Sequence, residues 1–268
     1  MPFLRSVAPK ASLHAERAAF PFSVPVVRTL ERLELPTAVT FFVGENGSGK
    51  STLLEGIAAA VGLPAVGSEA VHDDTTLAAQ RALASKLRLS WSTRTHKGFF
   101  LRAEDFFGFT KYLARLRAEL QGRLVDIQAE YEGRSAYARG LAAGPVAGSL
   151  ADMERRYGID LDANSHGESF LRLFRSRFVA GGLYLLDEPE APLSPQSQLG
   201  LMAMLKDMVA EQAQFIIATH SPILLAFPDA TIYTFDERPA RRVEYEDLEH
   251  VRLTRDFLNA PEAFLRHL

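Results

Sequence analysis

Gly44-Glu45-Asn46-Gly47-Ser48-Gly49-Lys50-Ser51, preceded by the apolar run Ala38-Val39-Thr40-Phe41-Phe42-Val43, is the stretch whose reading decides the fold of this 268-residue chain. The apolar run predicts a buried strand, and Gly44 and Gly49 let the backbone curl until successive N–H groups point at one anion. Lys50 supplies a cation and Ser51 a hydroxyl for a metal ion. The helix that Thr52-Leu53-Leu54 opens adds the positive end of its dipole. The predicted phosphate-binding set is therefore Gly44, Glu45, Asn46, Gly47, Ser48, Gly49, Lys50, Ser51 and Thr52. A plain glycine-rich turn before a helix is the competing reading, and the strand upstream weighs against it.

Outward from this loop, Leu53, Leu54, Ile57 and Val61 recur at helical spacing until Gly62 and Pro64 end the pattern. Upstream, Phe3 to Val7 reads as a strand, and a helix fits only around Val26 to Leu35. Downstream, Thr76 to Lys86 reads as a helix, and Leu87 to Trp91 and Phe99 to Arg102 as strands. From Phe106 to Tyr131, apolar Leu113, Leu116, Leu120, Leu124 and Ile127 mark one amphipathic helix, too short for a coiled-coil arm and read as core packing. Gly133, Gly140, Gly144, Pro145 and Gly148 predict a flexible connection over 133 to 149. Residues of about 103–165 form the predicted inserted helical lobe within a single domain of residues 1–268.

Two further apolar runs end in polar residues. Gly182 to Leu186 runs into Asp187-Glu188-Pro189-Glu190, and Gln214 to Ala218 into Thr219-His220-Ser221-Pro222. Continuous apolar strands are buried parallel strands, and such sheets bind ligands at the carboxyl edge. Three strand ends thus carry Lys50 and Ser51, Asp187 and Glu188, and His220. Asp187 can join Ser51 on Mg²⁺, which takes oxygen ligands. Glu188 can deprotonate an attacking water. A lone histidine is more often structural, but His220 stands at a third end of the same sheet edge. Catalysis is assigned to Glu188, His220 and Lys50. Before the helical pattern Phe170 to Phe174, Asn164-Ser165-His166-Gly167-Glu168-Ser169 offers either a second anion site or a plain helix cap. Ile232 to Phe235 and Arg241 to Tyr245 close the sheet, and Pro261 starts a last helix with Phe264 and Leu265 packed inward.

Composition sets the outer limits. The chain is 47% apolar and 24% charged, enough for a full core, with net charge -3 and no global footprint for nucleic acid. It has no cysteine, which excludes a disulfide framework or a cysteine-ligated metal. No signal peptide or spanning helix is read, so the expected location is the cytoplasm.

The order of these segments resembles the nucleotide-binding domains of the ABC ATPase superfamily of P-loop NTPases. The matching segments are the phosphate loop (Walker A), a signature at Ser165 to Glu168, the Asp187-Glu188 pair (Walker B), the loop Leu193-Ser194-Pro195 and the switch histidine His220. The wording DEPE and Thr219-His220-Ser221-Pro222 looks most like the RecF/SMC/OLD side and its small AAA family predicted ATPases. The resemblance implies an α/β fold with a mostly parallel sheet, flanking helices, N-terminal antiparallel strands and an inserted helical lobe. It implies ATP and Mg²⁺ as ligands, with ATP clamped in a head-to-tail homodimer between one phosphate loop and Ser165, Gly167 and Glu168 of the other copy. The expected function is ATP hydrolysis as a switch for an effector, protein or DNA, as in DNA maintenance. The alternative is the ATP-binding subunit of a membrane transporter, with a separate permease. The chain departs from the usual LSGGQ signature: Asn164, His166 and Glu168 replace the leucine, first glycine and glutamine. No glutamine loop is evident, since Gln80 lies in a helical pattern; Glu104 is the substitute placed near the metal. Phe22 is the candidate adenine platform, against its reading as a core aromatic.

Overall fold

In a computed structural model the continuous apolar runs are the central strands of one sheet. The structure describes residues 2–11, 19–66, 78–157 and 166–266. In chain order the elements are β1 (Leu4–Pro9), α1 (Pro25–Arg28), β2 (Leu33–Glu34), β3 (Val39–Val43), α2 (Lys50–Val61), α3 (Ala78–Lys86), β4 (Leu87–Trp91) and β5 (Gly98–Arg102). Then follow α4 (Ala103–Glu130), α5 (Ala136–Tyr157), α6 (His166–Arg177), β6 (Leu183–Asp187), α7 (Pro195–Ala210), β7 (Gln214–Ala218), α8 (Pro222–Leu225), β8 (Thr231–Thr234), β9 (Arg241–Val243), α9 (Glu249–Asn259) and α10 (Pro261–Leu265).

The main sheet has the order β5-β6-β7-β3-β8-β9; all pairings are parallel except β8 with β9. A second, antiparallel sheet has the order β2-β1-β4. Every residue of β3, β6 and β7 is buried, because alternate side chains feed two separate cores. Phe41, Leu186 and Ile217 enter one, with Phe170, Phe174 and Leu201 from α6 and α7. Phe42, Leu185 and Ile216 enter the other, with Leu53 and Leu54 of α2 and Leu4 and Val7 of β1. Both faces are covered, which is why these strands carry no polar alternation.

Where the chain leaves this sheet, local chemistry sets the elements. Gly49 (φ +100°) and Gly62 (φ +80°) bracket α2 with left-handed residues that favour glycine. Ser194 and Ser221 each cap a helix that begins with proline, accepting from Ser197 N (3.2 Å) and Leu224 N (3.1 Å).

Three expectations need correction. The helix around Val26 to Leu35 is only α1, and the chain turns into β2 by Leu33. Residues 136–149 are not a flexible connection but the larger, N-terminal part of α5, which holds Gly140, Gly144, Pro145 and Gly148. The three glycines, four residues apart, stand in open space on one face. Met153 on the buried side and the Arg117–Glu154 ion pair (3.0 Å) hold α5 against α4 and the core. Leu265 is not packed inward but 55% exposed, while Phe264 meets Phe257 edge to face. The described part of the stretch 103–165 is the pair α4 and α5.

Candidate functional site

The site lies where β3, β6 and β7 end side by side. β3 runs into the phosphate loop, and Lys50, the first residue of α2, is buried. Its Nζ donates to the carbonyls of Gly44 (2.7 Å) and Glu45 (3.2 Å), so the cation braces the loop from inside. Burial lowers the Lys50 pKa, against the raising effect of Glu188, Asp187, Asp236 and Glu190. Those four carboxylates gather around the Lys50 side chain. Gly47 (φ +84°) and Gly49 have left-handed backbones. An added Cβ on Gly49 would come within 2.5 Å of Val24 Cγ1, so the loop is seated tightly on the N-terminal segment. Glu45, Asn46 and Gly47 are exposed, whereas Ser51 and Thr52 are half-buried in the first turn of α2.

One strand over but one, β6 presents Asp187, 6% exposed, whose Oδ1 accepts the Ser51 hydroxyl at 3.1 Å. Burial pushes the Asp187 pKa to about 7; the Ser51 hydrogen bond acts against it, and Glu188 and Glu55 add to it. A buried carboxylate facing a hydroxyl, with carboxylate neighbours, is a donor set suited to a hard divalent cation. Ser51 and Asp187 are the residues that could hold a cation such as Mg²⁺.

Glu188 leaves the strand through a left-handed backbone (φ +49°), its N–H held by Ala218 O at 2.8 Å. That turn, rather than strand alternation, aims its carboxylate at His220 Nε2, 3.8 Å away. His220 Nε2 is buried and has no hydrogen-bond partner. Burial and then Lys50 lower the His220 pKa, so the imidazole is held neutral. Its backbone N–H donates to Glu190 Oε1 at 2.8 Å, and Glu190 is itself raised in pKa by burial. Glu45, Asn46, Glu188 and His220 line an open hollow of about 560 Å³.

Glu104 belongs to a different cluster. Its side chain is 75% exposed and pairs with Arg102 at 3.3 Å. Arg102 also pairs with Glu55 (3.2 Å) and Asp105 (3.5 Å), and Gln80 Nε2 donates to Glu55 at 2.7 Å. Glu55, one turn beyond Ser51 on α2, is the carboxylate of this cluster that acts on Asp187. Phe22 is only 8% exposed, inside the core beside α2. Asn164 and Ser165 lie outside the described residues. Gly167 is buried in the first turn of α6, where an added Cβ would lie 3.4 Å from Pro192 O and 3.3 Å from Ser197 Oγ. Glu168, next to it, is exposed. Glu190, Glu55 and Asp236, which accepts from Glu45 N, escaped the sequence reading. Glu190 was in plain view beside Glu188; the other two are long-range partners without a local signal.

No family model matches the chain. It is 27% identical over 224 residues to a macrolide export ATP-binding/permease protein MacB of Agrobacterium fabrum, covering 81% of this chain and 32% of that one. The MacB of Photorhabdus laumondii is 29% identical over 186 residues, covering 69% of this chain and 26% of that one. The chain thus spans about a third or less of the curated relatives it matches. Among solved structures, a nucleotide-free ATP-binding cassette from an ABC transporter aligns with a TM-score of 0.44 and 17% identity, over 94% of both chains. Among the described residues no helix is long and apolar enough to cross a membrane. With the phosphate loop after β3, the aspartate–glutamate pair after β6, the histidine after β7 and the match to the MacB relatives, the chain has the α/β fold of an ABC-type P-loop ATPase.

Proposed function

We propose that this protein binds ATP with Mg²⁺ and hydrolyses it to ADP and phosphate in a head-to-tail dimer. The observation that carries this reading is the pairing of Ser51 with Asp187 (3.1 Å) and of Glu188 with His220 (3.8 Å) on neighbouring strand ends around one buried lysine. The loop amides and Lys50 receive the phosphates, and Lys50 meets the charge that builds on the transferring phosphoryl. Glu188 is half-exposed on the hollow that it shares with Asn46, so its carboxylate takes the proton of the attacking water. His220, neutral and with Nε2 unpartnered, stands 3.8 Å from Glu188 and donates toward the terminal phosphate. Ser51 and Asp187 would hold Mg²⁺, which would supply positive charge against that of the phosphates. Ser165 and Gly167 of a second copy complete the clamp in this reading, which makes dimerisation part of the chemistry.

ATP turnover and oligomeric state of wild type, Lys50→Ala and Glu188→Gln test this. Glu188→Gln is expected to bind ATP, to lose roughly 10²–10⁴-fold in turnover with its general base, and to accumulate as an ATP-dependent dimer. If it hydrolyses like wild type, the base is another residue. Full nucleotide affinity and turnover in Lys50→Ala would end the reading.

As the partner we favour a membrane permease over DNA, because the matched relatives are named as export ATP-binding/permease proteins. Co-purification with a permease, and stimulation of turnover by it, supports this partner. ATP-dependent retention on DNA, without a permease, favours the other.

A further inference from the structure

A cavity of about 830 Å³ opens beside the phosphate loop. One wall is the loop itself, Gly44 to Ser48, with His220. The opposite wall is chain that follows β7: the end of β8 at Thr234 and Asp236, and the start of α9 with His250 and Leu253. Apart from Asp236, which holds the Glu45 N–H, nothing in the nucleotide chemistry described above uses this second wall.

Two details single out His250. Its Nε2 is buried without a hydrogen-bond partner, as is Nε2 of His220. Buried polar atoms in folded proteins are nearly always paired, so two orphaned imidazole nitrogens on one cavity call for an acceptor from outside the chain. Electrostatics points the same way: burial, then His220, lowers the His250 pKa, and Lys50 adds to this, which places His250 within range of the phosphate-binding cation. A neutral imidazole there is a donor that does not repel Lys50. The acidic neighbour Asp236 accepts from Glu45 N (2.7 Å) and from Thr234 Oγ1 (3.4 Å), and neither it nor Glu237, Asp247 or Glu249 on the same wall pairs with His250 Nε2.

We propose that His250 donates from Nε2 to the terminal phosphate of a bound nucleoside triphosphate, so that α9 distinguishes the triphosphate from the diphosphate. This rests on the ATP reading above. It adds a residue from a part of the chain, well beyond the switch histidine, to the contacts that recognise the phosphate lost in hydrolysis. Release of that phosphate then frees the start of α9.

The test is equilibrium titration of the full chain with a non-hydrolysable ATP analogue and with ADP, for wild type, His250→Ala and His250→Gln. Loss of one hydrogen bond to a charged phosphate should weaken analogue binding by His250→Ala roughly 10-fold while ADP affinity stays within about twofold. His250→Gln, which keeps a donor at similar reach, should recover part of the loss. Retained ADP affinity also shows that the variant is folded. Equal losses for both nucleotides, or none for the analogue, overturn the proposal while leaving the ATP reading intact. A wild type that binds neither nucleotide overturns the ATP reading itself and this proposal with it.

Discussion

The carboxylate of Asp236 accepts the backbone N–H of Glu45 at 2.7 Å, joining residues 191 apart and tying the phosphate loop to the end of β8. The fit is close, since an added Cβ on Gly44 would lie 3.0 Å from the same carboxylate oxygen. Asp236 is exposed, so the bond is worth little more than an ordinary one. Asp236→Ala should lower stability in urea unfolding by about 1 kcal/mol. Asp236→Asn keeps an acceptor and should lose less than half of that. Equal losses would mean that charge, rather than the hydrogen bond, holds the loop.

Glu188 carries a side chain at φ +49°, where glycine or asparagine sits more comfortably. Glu188→Gly is expected to raise the unfolding free energy by about 1 kcal/mol while removing ATP turnover. Thermal denaturation and a phosphate-release assay on the same preparation check both halves. A destabilised variant would show that the carboxylate contributes more to the fold than its backbone costs.

In metal-free buffer the raised pKa of Asp187 makes stability depend on pH in a definite direction. The folded state keeps the proton up to about pH 7, whereas an ordinary aspartate gives it up near 3.8. Its contribution is thus fully present below the lower value and is lost as pH climbs through the higher one. Compared with Asp187→Asn, which cannot ionise, wild type should lose on the order of 2 kcal/mol between about pH 5 and about pH 8. Urea unfolding at the two pH values, each with a chelator, measures it. A constant gap between the two proteins would contradict the shift.

Gly98 begins β5 at φ +123°, and a Cβ there would stand 1.8 Å from the carbonyl oxygen of Leu183. Backbone cannot yield as a side chain does. Gly98→Ala should therefore part β5 from β6 and cost about 3 kcal/mol or more. Gly140→Ala, facing open space inside α5, should stabilise by about 0.5–1 kcal/mol. Denaturation midpoints of the pair separate the two kinds of glycine.

The centre of the sheet was legible because β3, β6 and β7 are almost wholly apolar and each runs into polar residues whose chemistry is known. Lys50, Ser51, Asp187, Glu188 and His220 could be placed at one edge from that pattern alone. Hydrophobic periodicity likewise revealed α4, from Leu113 to Ile127. α5 was misread because Gly140, Gly144, Pro145 and Gly148 disfavour an isolated helix, while the contacts that hold it, Arg117 with Glu154 and Met153 in the core, are tertiary. The same limit hid Asp236, Glu55 and Arg102, whose partners are remote in sequence. Glu188 shows a subtler gap: its identity was readable, but not the left-handed turn that sets its direction. Ser165 and Asn164 fall outside the described residues.

The Gln214 side chain, at the first residue of β7, accepts from Leu4 N and donates to Leu4 O, both at 2.9 Å. A carboxamide has the same donor and acceptor as a peptide unit, and here it plays the part of one more strand residue. The small N-terminal sheet is thereby stitched to the large one by a counterfeit rung of backbone, 1% exposed and sealed from water. Residues 210 apart in the chain consequently share one fate on heating: β1 has no way to peel off without baring a paired amide in the floor of the main sheet.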